Sequence, residues 1–269
     1  MTIFHDFNTR IVDFVRRPEN ARLAPGTGTF STPFRGTLFG CELAADVEAA
    51  LESRRVDVLW LGANPNAQES VDAILGKSAP PSHTLELQIE SNFFGEIDVR
   101  HWQRGGGWRV GWDPVGKPQG GWKFYRDTFA RVRPNLSIAM ANIVPWGSSD
   151  ASTLWKPLAE VDSALVRRMA EFCDVLNEDI VEALRPRLLV VPLSIGERTG
   201  LARSRSNTVM HEIKLSNRTF RFYTGTVDRC GRAQNVAYLY HPRAIQYAPD
   251  ERAVIADRLV AEVGAMLGA

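Results

Sequence analysis

Two asparagines and a histidine stand where apolar runs give way to turn-forming residues. Asn64 lies in Gly62-Ala63-Asn64-Pro65, directly after VDVLWL; Asn142 lies near the end of LSIAMANIV, before Pro145-Trp146-Gly147; His241 opens His-Pro-Arg after NVAYLY. An amide both donates and accepts hydrogen bonds, and a neutral imidazole does one at each ring nitrogen. Gly62 adds a position where backbone can approach closely, and Pro65 a rigid corner. Each residue also has an ordinary reading, Asn and Pro as turn-makers and a lone His as a structural side chain. What distinguishes them is recurrence at the ends of three similar strands.

Those strands are legible as short apolar runs: Val56–Leu61, Leu136–Val144, Leu188–Leu193 and Asn235–Tyr240. Between them lie segments with helical periodicity. Leu158, Val161, Leu165, Met169, Phe172, Leu176, Ile180 and Leu184 recur every three or four residues and predict a helix over Pro157–Leu184, read as core. Trp122–Arg131 also has a helical pattern, and Pro249–Leu267 begins with Pro and two acids, as helix N-termini prefer. Shorter helices are expected at Phe7–Phe14, Glu42–Arg54 and Ala67–Leu75, and an edge strand at Arg218–Tyr223. Pro25–Gly40 reads as an irregular connection, and Arg198–Asn217 is polar and Arg-rich. Apolar strands alternating with helices predict an α/β fold: a three-layer α/β/α sandwich around a mainly four-stranded parallel sheet. One domain over 1–269 is expected, with an N-terminal helical extension, 1–55, and a Gly- and Trp-rich insertion, 76–121. In a parallel sheet the carboxyl ends of the strands share one edge, where ligands bind in open α/β sheets. Asn64, Asn142 and His241 should meet there.

Composition narrows the classes. Hydrophobic residues make up 44% of the chain and charged residues 23%, as in a soluble globular protein, and no apolar run is long enough to span a bilayer. MTIFHDFNTR lacks the pattern of a secretory signal. Cys41, Cys173 and Cys230 are far apart with no CxxC pair, so neither metal site nor cofactor is expected, and the compartment is read as the reducing cytoplasm. Net charge is +1, yet basic residues gather in Arg100–Arg133 and Glu197–Arg232, the latter including Arg203 and Arg205, while acids gather in Glu42–Glu52 and Glu160–Glu182. Such segregation suits either one positive face for a phosphate backbone or an unevenly charged solvated surface.

With these residues in order, the sequence resembles the uracil-DNA glycosylase superfamily over roughly Val56 to Tyr247. The resemblance rests on the G-x-N-P turn at Gly62–Pro65, the strand ending in Asn142, the strand LLVVPLSIG and the final His241-Pro242. The first motif is similar to the mismatch-specific and single-strand-selective branches, and the clustered cysteines of the iron–sulfur branch are missing. The resemblance implies a monomeric hydrolase that cleaves the N-glycosidic bond of uracil, or a related deaminated or damaged base, in DNA. It implies that neutral His241 donates to the departing base oxygen and that Asn64 orients a water toward the sugar carbon. Asn142 would read the Watson–Crick edge of an extruded base beside Gly62, stacked on an aromatic face from Phe94, Trp112 or Trp122. Arg243, Arg203 and Arg205 would contact DNA, and Ile245 would wedge into its stack.

The sequence also departs from the family pattern. Asn66 stands where the family has Gly, Arg243 replaces the Ser after His-Pro, and Ala73–Ser78 lacks the aromatic expected after the first motif. The insertion 76–121 has no counterpart. These departures support a second reading, a non-catalytic nucleic-acid or nucleotide binding module with the same fold. A nucleoside hydrolase that acts without DNA is a third.

Overall fold

The computed structural model describes residues 10–11, 13–23, 34–37, 56–62, 120–133, 136, 138–144, 151–193, 207–229, 231–241 and 244–268. Val58–Gly62 (β2) is buried at every residue before its terminal glycine. Such a run belongs in the middle of a sheet covered on both faces. Its side chains alternate between two cores: Leu59 and Leu61 point to one, Val58 and Trp60 to the other. Leu188–Pro192 (β4) and Arg232–Leu239 (β7) alternate likewise, with Leu189, Val191, Val236 and Tyr238 in the first core. Leu188, Val190, Ala237 and Leu239 fill the second.

These strands belong to a seven-stranded mixed sheet of order β1-β3-β2-β4-β7-β6-β5, where β1 is Phe34–Thr37, β3 Ile138–Asn142, β5 Thr208–Lys214 and β6 Thr219–Arg229. The chain is α/β. The pairs β3–β2, β2–β4 and β4–β7 are parallel. β1 joins β3 antiparallel, and β5, β6 and β7 form an antiparallel meander.

The sheet is thus wider and more mixed than four parallel strands. β1 lies in Gly-, Thr- and Pro-rich sequence that reads as irregular, and β5 lies in the polar stretch 198–217. The inner face of β5 is carried by His211 and Ile213, so its alternation is half polar. The expected edge strand Arg218–Tyr223 is interior instead: β6 runs on to Arg229 between β5 and β7. The tight reversal that allows this is closed by the Leu215 N–H on the Arg218 carbonyl at 2.9 Å.

Helices line both cores. The first core takes Leu158 from α2 (Ala151–Val161), a stripe of α3 (Ser163–Leu184) that includes Leu165, Met169, Leu176 and Ile180, and Ile11 and Phe14 from the N-terminal helical residues. The second takes Phe124, Tyr125 and Phe129 from α1 (Gly120–Val132) and Ile255, Leu259 and Val263 from α4 (Pro249–Leu267). The single helix expected over Pro157–Leu184 is two. Asp162 leaves helical geometry (φ −153°, ψ 83°) and caps α3 by accepting from the Leu165 N–H at 2.9 Å. Pro157 lies inside α2 rather than at a helix start. α3 ends at Arg185, held in the left-handed region at φ 45°, with its N–H on the Val181 carbonyl. Among the described residues no helix is long and apolar enough to cross a membrane.

Candidate active site at the carboxyl edge of the sheet

Gly62 and Asn142 are partners in the β2–β3 ladder and are the last residues of their strands. The next ladder bond, from the Ile143 N–H to the Gly62 carbonyl, is 2.9 Å long. The connection out of β2 carries α1, packed in the second core, whereas the connection out of β3 carries α2 and α3, packed in the first. Adjacent strands whose connections leave to opposite faces open a crevice between their carboxyl ends, the usual binding position in open α/β sheets. Gly62 and Asn142 end the two strands at that position. On the other side of β2, Pro192 of β4 pairs with Leu239 of β7, and His241 follows two residues later. At strand spacing, β3 and β7 are about 14 Å apart, with β2 and β4 between them.

The backbone around these strand ends is tied down. Asn177 of α3 is buried and donates through Nδ2 to the Ile143 carbonyl at 2.8 Å and the Cys173 carbonyl at 2.6 Å. It thereby fixes the chain just beyond Asn142. Tyr125 of α1 is fully buried against Trp60, ring centroids 4.8 Å apart, and its hydroxyl donates to the Tyr240 carbonyl at 2.8 Å. Burial pushes the Tyr125 phenol well above its ordinary pKa, with Tyr247 and Tyr240 adding to the rise, so it stays a donor. The His241 carbonyl accepts from the Ala244 N–H at 2.8 Å, and His241 itself is half-buried. Farther along, Arg218 donates to the Gln246 carbonyl at 2.8 Å, pairs with Glu251 at 2.9 Å and lies 3.9 Å over the Tyr247 ring. The guanidinium beside Glu251 holds that carboxyl below its usual range.

Neither Asn177, Tyr125 nor Arg218 stands out in the sequence as a site residue. A signal exists for Asn177, an amide on the apolar stripe of α3 four residues after Cys173; a polar group there must find partners inside. Tyr125 reads as one more core aromatic, and Arg218 as one cation among many.

Of the residues expected at the site, Gly62, Asn142 and His241 lie at the same edge of the sheet. Trp122 is in the first turn of α1. Asn64, Phe94, Trp112, Arg203, Arg205 and Arg243 lie outside the described residues, as do Asn66 and the insertion up to residue 119. Ile245 does not suit the role of a DNA wedge: it is 3% exposed and packed into the second core, where it anchors the turn.

The charge segregation seen along the chain also changes in three dimensions. Lys123, Arg131 and Arg133 pair with Asp127, Asp257 and Asp57. Arg218, Arg221, Arg229 and Arg232 pair with Glu251, Glu212, Glu178 and Glu182. These seven cations are locally balanced by carboxylates and form no bare positive field. Among the described residues no group of three or more His, Cys, Asp or Glu side chains is placed to hold a metal ion. No protein-family model matches the chain, and no curated protein matches its sequence.

Proposed function

We propose that the chain is a glycosylase-like hydrolase that releases uracil, or a related deaminated or damaged base, from DNA. The observation that carries this reading is the level placement of Gly62 and Asn142 at a crevice-forming strand edge, with His241 past the end of β7 on the same edge. The fold that goes with it is a three-layer α/β/α sandwich in one domain, acting as a cytoplasmic monomer without a metal or cofactor. In the reaction the bond from the sugar carbon to the base nitrogen breaks, and its electron pair leaves with the base. The sugar passes through an oxocarbenium-like state, and water adds to it and loses a proton. His241, neutral, donates an N–H to the base oxygen on which charge accumulates. Asn142 matches donor and acceptor to the base edge, and the missing side chain at Gly62 lets the base approach. Asn64 holds the water; an amide suffices, because a dissociative reaction needs position more than deprotonation.

The test is incubation of the folded protein with single- and double-stranded DNA containing uracil and several lesion bases, followed by alkali cleavage. Abasic product is expected, and His241→Ala and Asn64→Ala should each slow its formation by about 10²–10³-fold. No product from any base, or wild-type rates in both variants, would overturn the reading. A binding module is favoured by Asn66 and Arg243, which depart from the family pattern. DNA binding that weakens steeply with salt, without base release, selects that alternative.

A further inference from the structure

The peptide groups on both sides of His241 are hydrogen-bonded, and by different parts of the molecule. On the far side, the His241 carbonyl is held within its own turn by the Ala244 N–H. On the near side, the Tyr240 carbonyl lies just past the last β7–β4 register pair, Leu239 with Pro192. Its donor comes from 115 residues away in sequence, the Tyr125 hydroxyl. Fixing both peptide planes leaves His241 little freedom in φ and ψ, so the imidazole is placed by its side-chain torsions alone. We propose that Tyr125 is a positioning residue for His241, acting through the Tyr240 carbonyl.

The inference rests on the reading of His241 as the donor to the departing base. Three features make Tyr125 suited to the task. Its ring is clamped between Trp60 of β2 and Phe124 of its own helix, at 4.8 and 5.2 Å, so the hydroxyl cannot drift. Its partner residue Tyr240 is packed edge-on against Phe220 at 5.1 Å, which holds the carbonyl toward α1. The following turn is braced by Arg218 on the Gln246 carbonyl and by buried Ile245, so a released Tyr240 peptide would move alone against a fixed frame. Trp60 also lies two residues before Gly62, so Tyr125 touches the strand that ends at Gly62 through its ring and the chain before His241 through its hydroxyl.

The test compares Tyr125→Phe with Thr128→Val. Thr128 is also buried on α1, but its hydroxyl bonds within the helix, to the Phe124 carbonyl at 2.7 Å. Three readouts are needed: thermal melting, the NMR spectrum and titration of the His241 imidazole, and kcat and KM on uracil-containing DNA. Tyr125→Phe is expected to shift or broaden the His241 resonances and lower kcat about tenfold, with KM within about twofold of wild type. Thr128→Val should leave both unchanged whatever it does to melting. If Tyr125→Phe fails to fold, 4-fluorophenylalanine at position 125 fills the hydroxyl volume without donating. Unaltered His241 resonances in a folded variant would overturn the inference. So would an unaltered kcat in an active enzyme. If the wild-type protein releases no base, the glycosylase reading fails by itself and the His241 spectrum still decides whether Tyr125 positions the ring.

Discussion

Gly225 occupies the middle of the antiparallel meander, paired with Thr208 on one side and Val236 on the other. A Cβ added there would lie 2.2 Å from the Asn207 carbonyl oxygen and 2.8 Å from the Thr208 Cα. Both obstacles are backbone, so neither can rotate away, and the hairpin would have to open. Gly225→Ala is expected to lower unfolding stability by about 2–3 kcal/mol in urea titrations. A loss below about 0.5 kcal/mol would mean that the hairpin yields without strain. A lone glycine within an alternating strand is a recognised sign of close backbone approach. Which segment approaches is set by strand pairing, and no local pattern contains it. The same holds for Tyr125: its type announces a buried aromatic, but its acceptor is known only once α1 lies beside β7.

At the scale of elements, the β5–β6 hairpin and α4 meet at His211. This side chain is 7% exposed and stacks on Phe222 at 4.6 Å. Its Nε2 is 2.7 Å from the Thr224 hydroxyl, while Nδ1 faces Glu262 at 3.5 Å and Arg258 at 3.4 Å. Burial holds the imidazole below its ordinary pKa of 6.5; Glu262 opposes the shift and Arg258 adds to it. A folded-state pKa below the unfolded one means that the unfolded chain takes up the proton first. The resulting stability is complete above about pH 6.5 and is lost as pH falls through the folded value. Melting temperature should therefore drop from about pH 7.5 to about pH 5 more steeply in wild type than in His211→Gln, whose amide does not titrate there. Parallel pH profiles would contradict this. The inward His also helps to hide β5 from the sequence, because half of its buried face is polar. The helices were easier. Most of the stripe from Leu158 to Leu184 is buried as expected, but Val161, at the end of α2, is 52% exposed and Phe172 is only partly buried, and the break at Asp162 was concealed because apolar spacing continues across it.

For the whole molecule, the four parallel strands were legible because strands buried on both faces read as unbroken apolar runs. The antiparallel additions β1, β5 and the extended β6 were not, since half-polar strands and Gly-rich segments resemble loops. Gly62, Asn142 and His241 were legible as residue types at strand ends, and the structure places these three at one edge of the sheet. Tyr125 and Arg218 find their partners across long sequence separations and were invisible for that reason, while Asn177 showed only as an amide on an apolar stripe, with its Ile143 partner hidden. The same contrast between near and far pairing has a kinetic consequence. β5, β6 and β7 follow one another through short turns, Leu215 to Arg218 and the reversal at Gly231 (φ 77°), so only small loops must close. β2, β3 and β4 come together only after long crossovers, and closure of non-local pairings is slow. In pulse-labelled hydrogen exchange during refolding, amides of 208–239 should gain protection before those of 58–62 and 138–142. Simultaneous protection would argue against this order. The strand that leads to His241 would then be in place before those that end at Gly62 and Asn142.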